Sequence, residues 1–328
     1  MDVVVNVVAP VFAIIIAGWI AARAGLLGRD GSTALNQFVY WFSLPPVLFL
    51  GLARAPLSDI FNGPFLAAFL GGLFLTYLVT LAIGWVVWPR TTKPDLPGTT
   101  GQNASMMALN ASFSNTGYMG IPLFIALVGN SNLAPVIIAT VIMSAVMVAV
   151  AIIMLEALGK SDHSKLKVAL GIGKSLIKNP LIMSSVAGLI AAFIKLPIPD
   201  PIQRFGDLMG AAAGPCALFA IGLFLAGQNL KEGLGNAFWV SVMKLALQPI
   251  VTLVLIDCFF PMDPYWRASA LVLAALPTGA LTFVVAQRYQ IHVGETSTAI
   301  LVSTVLSIMT LSGILIALAP VFQKAVAG

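Results

Sequence analysis

Apolar runs about as long as a bilayer is thick recur along almost the whole chain, and little polar sequence separates them. A helix needs roughly 20 apolar residues to cross the hydrocarbon core, and lipid offers no partner for a free backbone group. The runs therefore specify a polytopic, all-α membrane protein. Composition agrees: hydrophobic residues make up 59% of the 328, charged residues only 9%, and the mean hydropathy is +0.99. A soluble domain carries about 25% charge, so no room is left for one. Ten spans are expected, at 3–26, 34–52, 64–88, 103–127, 133–157, 176–194, 205–227, 236–260, 267–288 and 296–321. Met1-Asp2-Val3 has no basic region of the signal-peptide kind and no small-residue cleavage site follows, so the first run is expected to stay as a helix.

Basic residues set the orientation. With the N-terminus outside, the cytoplasmic loops hold Arg23, Arg29, Arg90, Lys93, Lys160, Lys165, Lys167, Lys174, Lys178, Lys231 and Arg288. The outside then holds only Arg54, Lys195, Arg204, Arg267 and Lys324. Both termini outside a cell (inner) membrane is the expected topology. The net charge of +5 gives no reason to expect a nucleic-acid partner.

The halves of the chain resemble each other. "APVFAIIIAGWIAA" carries Pro10 and Gly18, and "NPLIMSSVAGLIAA" carries Pro180 and Gly188 at the same spacing. Pro45 follows Pro10, and Pro215 follows Pro180, by the same interval; Leu48-Phe49 then matches Leu218-Phe219. Two repeats of five spans each are expected, at 1–157 and 176–328, joined by a cytoplasmic linker at 158–175. Five is odd, so the second repeat is inverted, which is the architecture of secondary transporters with a site between the repeats.

The fourth span of each repeat breaks its own helix. "SFSNTGYMGIPLF" interrupts the first, with Asn115, Thr116, Gly117, Tyr118, Gly120 and Pro122; Pro277, Thr278 and Gly279 interrupt the second. Both breaks lie near mid-membrane, where non-helical backbone survives only if protein buries it or it lines a cavity. Each half-helix that starts there presents unpaired N–H groups and the positive end of its dipole. Two such ends meeting at one centre suit a carboxylate. Asn115 adds an amide, Thr116 and Thr278 add hydroxyls, Gly117 and Gly279 permit close approach, and Gly120 and Pro122 serve the crossover as hinge positions.

Other polar residues leave alternatives. Lys244 and Gln248 share a face of the eighth span; Lys244 either binds substrate charge, or takes part in proton coupling, or snorkels to the interface. Gly210 and Gly214 serve either internal packing or a dimer seam. Ser303, Thr304, Ser307 and Thr310 either line a cavity or bond back to their own helix. Arg288 reads as a positive-inside anchor, Asp257 and Glu156 as solvated groups, His163 and His292 as surface residues, and Cys216 and Cys258 as small buried residues. No metal site or cofactor is expected. Gly-x-Ser-x-Gly, His-Glu-x-x-His and paired aspartates within a span are all absent, which argues against an enzyme.

"NTGYMGIPL" (115–123), "LPTGALTFVVAQRY" (276–289) and "STVLSIMTL" (303–311) resemble the auxin efflux carrier family, whose bacterial members include malonate carriers and which shares the bile acid–sodium symporter-like fold. The resemblance implies spans four and nine crossing at their broken centres. It implies a scaffold of spans one, two, six and seven against a transport domain of spans three, four, five, eight, nine and ten. It also implies a small organic anion as substrate, proton or sodium coupling, and a homodimer through spans two and seven. The second crossover has Pro277-Thr278 in place of an asparagine. A sodium-coupled symporter and an anion channel are the rival readings.

Overall fold

The computed structural model describes residues 9–87, 98–129, 132–159, 165–227 and 233–327. The loop residues Arg90, Lys93, Lys160, His163 and Lys231 lie outside the described residues. The regular structure described is helical: α1 (Ala9–Arg23), α2 (Asp30–Arg54), α3 (Gly63–Val87), α4 (Thr100–Ser112), α5 (Thr116–Val128), α6 (Ala134–Ala157), α7 (Lys165–Lys178), α8 (Pro180–Phe193), α9 (Asp200–Ala226), α10 (Leu234–Cys258), α11 (Pro264–Ala274), α12 (Leu281–Tyr289) and α13 (Val293–Ala327). Among these, α2, α3 with the turn that precedes it, α6, α9, α10 and α13 are long and apolar enough to cross a membrane; α1, α5 and α8 are shorter apolar helices.

Helix boundaries follow local chemistry. Thr99 and Gln102 form a reciprocal capping box that starts α4. Asn179 accepts a hydrogen bond from the Leu181 amide, and Pro180 occupies the first turn of α8. That cap corrects the sequence reading: the sixth span starts at Pro180, and residues expected as linker and span start form the separate helix α7. Three π turns, at Val39–Ser43, Thr116–Gly120 and Met243–Leu247, each run directly into a proline, at Pro45, Pro122 and Pro249. Proline clashes with the carbonyl four residues back; a wider turn relieves the clash and keeps the helix going. Pro122 therefore lies inside α5 and does not start it.

Small residues set the closest contacts. A Cβ on Gly18 of α1 would sit 2.2 Å from the Phe219 carbonyl oxygen of α9, and one on Gly222 would sit 2.0 Å from the Ile15 oxygen. A Cβ on Gly188 of α8 would sit 2.5 Å from the Phe49 oxygen of α2. Gly210 and Gly214 also face inward, against Val47 and Pro122, which settles their role as internal packing. Two further expectations change. His292 is buried, its Nδ1 3.4 Å from Glu295, because it closes the turn into α13. Cys258 is exposed on an apolar helix end, and Cys216 is half-buried; both thiols are free.

Candidate functional site at the paired helix breaks

Between α4 and α5 the chain leaves the helix at Phe113 (φ −81°, ψ 104°) and re-enters after Asn115 (φ −77°, ψ 58°). Between α11 and α12 it is non-helical through Pro277 and Thr278. The two breaks meet. Ser114 and Thr278 form an isolated antiparallel bridge. The Asn115 amide donates to the Pro277 carbonyl at 2.9 Å, and the Gly279 amide donates to the Phe113 carbonyl at 2.9 Å. Each break thus supplies partners for backbone groups that the other leaves open, as a water-poor interior requires.

Side chains tie the junction to its surroundings. Thr278 Oγ1 donates to the Asn110 carbonyl (2.8 Å), and the Thr278 amide donates to Ser303 Oγ (3.1 Å). Asn110 Nδ2 reaches Thr296 Oγ1 (2.9 Å), and Gln248 Nε2 reaches Ser114 Oγ (3.3 Å). Lys244 is fully buried and does not snorkel; its Nζ donates to the Ala274 carbonyl (2.7 Å), at the C-terminal, negative end of α11. Ser303, Thr304, Ser307 and Thr310 all donate back along α13, so the back-bonding alternative is the one adopted.

The predicted site residues therefore divide. Pro277, Thr278 and Gly279 are committed to the junction itself, and Gly279 is small because Phe113 packs where its Cβ would be, at 2.8 Å. Lys244 and Gln248 brace the two breaks. Asn115, Thr116, Gly117 and Tyr118 are different. Asn115 is 4% exposed as a residue and its carboxamide makes no hydrogen bond among the described residues, and the Gly117 and Tyr118 amides, at the start of α5, have no backbone partner there. A Cβ on Gly117 would make ordinary contact, 3.6 Å from Thr140, so a methyl group fits there without a clash. Asn110 and Ser114 were not singled out from sequence, the run of small polar residues before Asn115 being their only signal, and Ser303 was weighed only as a cavity-lining or back-bonding hydroxyl.

Two cavities open within the bundle, and of the predicted site residues only Pro122 lines either of them. One, of about 350 Å³, runs from Pro122 and Pro215 to Arg54 and Asp207, whose side chains pair at 3.1 Å. The other, of about 510 Å³, is lined by Tyr40, Ser144, Lys174, Lys178, Leu281 and Arg288 among others. Tyr40 and Arg54 both lie in α2, some fourteen residues or about 21 Å apart at 1.5 Å per residue, so the cavities open toward opposite ends of the bundle.

The family model described as "Membrane transport protein" matches residues 3–315. The chain belongs to this family, that of the auxin efflux carriers. It is similar to a protein of Rhizobium meliloti (strain 1021) provisionally named a malonate transporter, at 32% identity over 317 residues, covering 96% of each chain. It is also similar to the uncharacterized transporter YfdV of Escherichia coli (strain K12), at 23% identity over 299 residues, covering 90% of this chain and 91% of that one. Auxin efflux carrier component 3 of Arabidopsis thaliana matches at 31% identity over 134 residues, which is 39% of this chain and 21% of the plant protein. The family makes this chain a membrane transporter and not an enzyme.

Proposed function

We propose that the chain is a secondary active transporter of small organic anions, carboxylates in particular, working by alternating access at the paired helix breaks. The observation that carries this reading is the unpartnered Asn115 carboxamide beside the open Gly117 and Tyr118 amides. Three donors at a half-helix start form an anion site that needs no cationic side chain. Malonate or another dicarboxylate is the substrate class, supported by the name of the Rhizobium meliloti relative.

The reading includes ten spans in two inverted repeats, with both termini outside the cell (inner) membrane. Reciprocal packing supports the repeat: Gly18 against the Phe219 carbonyl, Gly188 against the Phe49 carbonyl, with each pair related by the sequence match. Spans one, two, six and seven form the scaffold. Both cavities lie where elements of that scaffold meet elements of the other six spans. A homodimer through spans two and seven belongs to the same reading, although Gly210 and Gly214 are occupied by internal packing and lend it nothing.

Sodium coupling is the second reading. It is favoured by two buried acceptors without partners, Asn110 Oδ1 and Gln248 Oε1, next to the junction. Proton coupling is the alternative. Uptake into proteoliposomes, with a panel of mono- and dicarboxylates and with imposed sodium or proton gradients, tests all of this. Saturable, exchangeable uptake of a carboxylate is the expected result. Non-saturable flux would make the protein a channel, and no flux of any carboxylate would end the proposal.

A further inference from the structure

The 510 Å³ cavity carries three cationic side chains, Lys174 and Lys178 from α7 and Arg288 from α12, and no acidic side chain among the described residues lines it. Among the described residues Glu156 is the carboxylate nearest in sequence to α7; the Tyr289 hydroxyl donates to it at 3.0 Å and it does not line the cavity, while Asp162 lies outside the described residues. Basic residues at a membrane face commonly serve as topology anchors in lipid headgroups, but these three exposed residues line one open cleft between elements far apart in sequence. Helix dipoles add little to the field there, because the negative end of α7 at Lys178 abuts the positive end of α8 at Asn179. The side chains are the source of the potential.

The cavity also leads inward. Its wall includes Leu281, the first residue of α12 beyond the second break, and Ser144 in the π turn of α6.

We infer that Lys174, Lys178 and Arg288 form an anion-recruiting station on the substrate path, one that concentrates small dianions such as dicarboxylates at the basic end of the bundle before they reach Asn115. This rests on the transport reading above and adds to it a place where the second carboxylate of a dicarboxylate counts: a site of three donors at the break serves a single carboxylate, whereas a tripositive vestibule favours two. A cleft lined by charge of one sign raises the local concentration of its counter-ion by about 10-fold or more, and screening by salt removes the effect.

The test reads the cavity separately from transport. In a Cys216→Ala/Cys258→Ser background, Val148→Cys on the cavity wall takes a bimane label, and quenching by iodide is compared with quenching by neutral acrylamide in phosphatidylcholine vesicles. The iodide-to-acrylamide ratio should fall about tenfold in Lys174→Gln/Lys178→Gln/Arg288→Gln and persist in Lys174→Arg/Lys178→Arg. Malonate should protect against iodide at lower concentration than acetate does. An unchanged ratio in the neutralised variant overturns the inference. So does loss of the ratio in phosphatidylglycerol vesicles, which would make a lipid headgroup the occupant. Malonate uptake by the unlabelled wild-type chain is measured alongside. Normal uptake with an insensitive ratio sinks the station alone, and a charge-dependent ratio without carboxylate uptake sinks the transport reading alone.

Discussion

Asn115 is 4% exposed as a residue and its carboxamide makes no hydrogen bond to the described residues, so it forgoes an interaction worth about 0.5–1.5 kcal/mol. A ligand is the partner that would supply it. A hydrogen bond to a charged group is worth about 1.5–3 kcal/mol, and each 1.4 kcal/mol is about tenfold in affinity. Asn115→Ala should therefore weaken carboxylate binding roughly 10- to 100-fold without lowering the thermal midpoint, and unchanged affinity by calorimetry would remove the anion site from this break. Thr278 is predicted to behave in the opposite way. Its hydroxyl is already spent on the Asn110 carbonyl, so Thr278→Val should cost about 1–3 kcal/mol of stability, visible in a thermal melt, before it says anything about substrate. Lys244 bonds to the Ala274 carbonyl and is fully buried. Lys244→Met should then leave the ratio of malonate to acetate affinity unchanged. A selective loss of malonate binding would restore Lys244 as a direct substrate contact.

Glycine separates helix packing from site chemistry at the scale of elements. On Gly222 a methyl group would lie 2.0 Å from the Ile15 carbonyl oxygen, and backbone cannot step aside as a side chain can. Gly222→Ala should force α1 and α9 apart and cost about 1–3 kcal/mol, the usual range for overpacking. Gly117→Ala meets nothing inside 3.6 Å and should keep wild-type thermal stability. Comparing the two melting curves checks the assignment. Equal destabilisation would mean that Gly117 is also a packing residue.

Across the whole molecule, two cavities open toward opposite ends of a bundle whose helix breaks are hydrogen-bonded to each other. If they are the two ends of one alternating pathway, a ligand that closes one should open the other. Single cysteines at Val148, on the basic cavity, and at Ala211, on the cavity with Arg54 and Asp207, should change labelling rate in opposite directions when malonate is added. Parallel changes, or none, would argue for a fixed pore. The Arg54–Asp207 pair is partly exposed, and exposed pairs contribute only about 0–1 kcal/mol, so it can part at little cost when that end opens.

Hydropathy determined the class of protein, because lipid penalises every polar segment longer than a turn. The repeat of Pro10, Gly18 and Pro45 in Pro180, Gly188 and Pro215, and the two breaks at Asn115 and Thr278, were legible for the same reason: helix breakers stand out against apolar helix. The motifs in the breaks were also enough to indicate the family. Sequence misplaced the start of the sixth span, where the Asn179–Pro180 cap decides the boundary and hydropathy does not. It noted that the second break lacks an asparagine, but it took the polar groups of both breaks as free for a ligand. Only tertiary structure decided which groups are free. Once the breaks lie antiparallel, the Asn115 and Gly279 amides and the Thr278 hydroxyl are consumed by the junction, while the Asn115 carboxamide is left open. The fate of Lys244 was decided in the same way, by the nearness of the α11 carbonyl end to a residue thirty positions earlier in the chain. Hydrogen-bond partners between residues so far apart depend on how helices pack, and spacing along one helix carries no record of that.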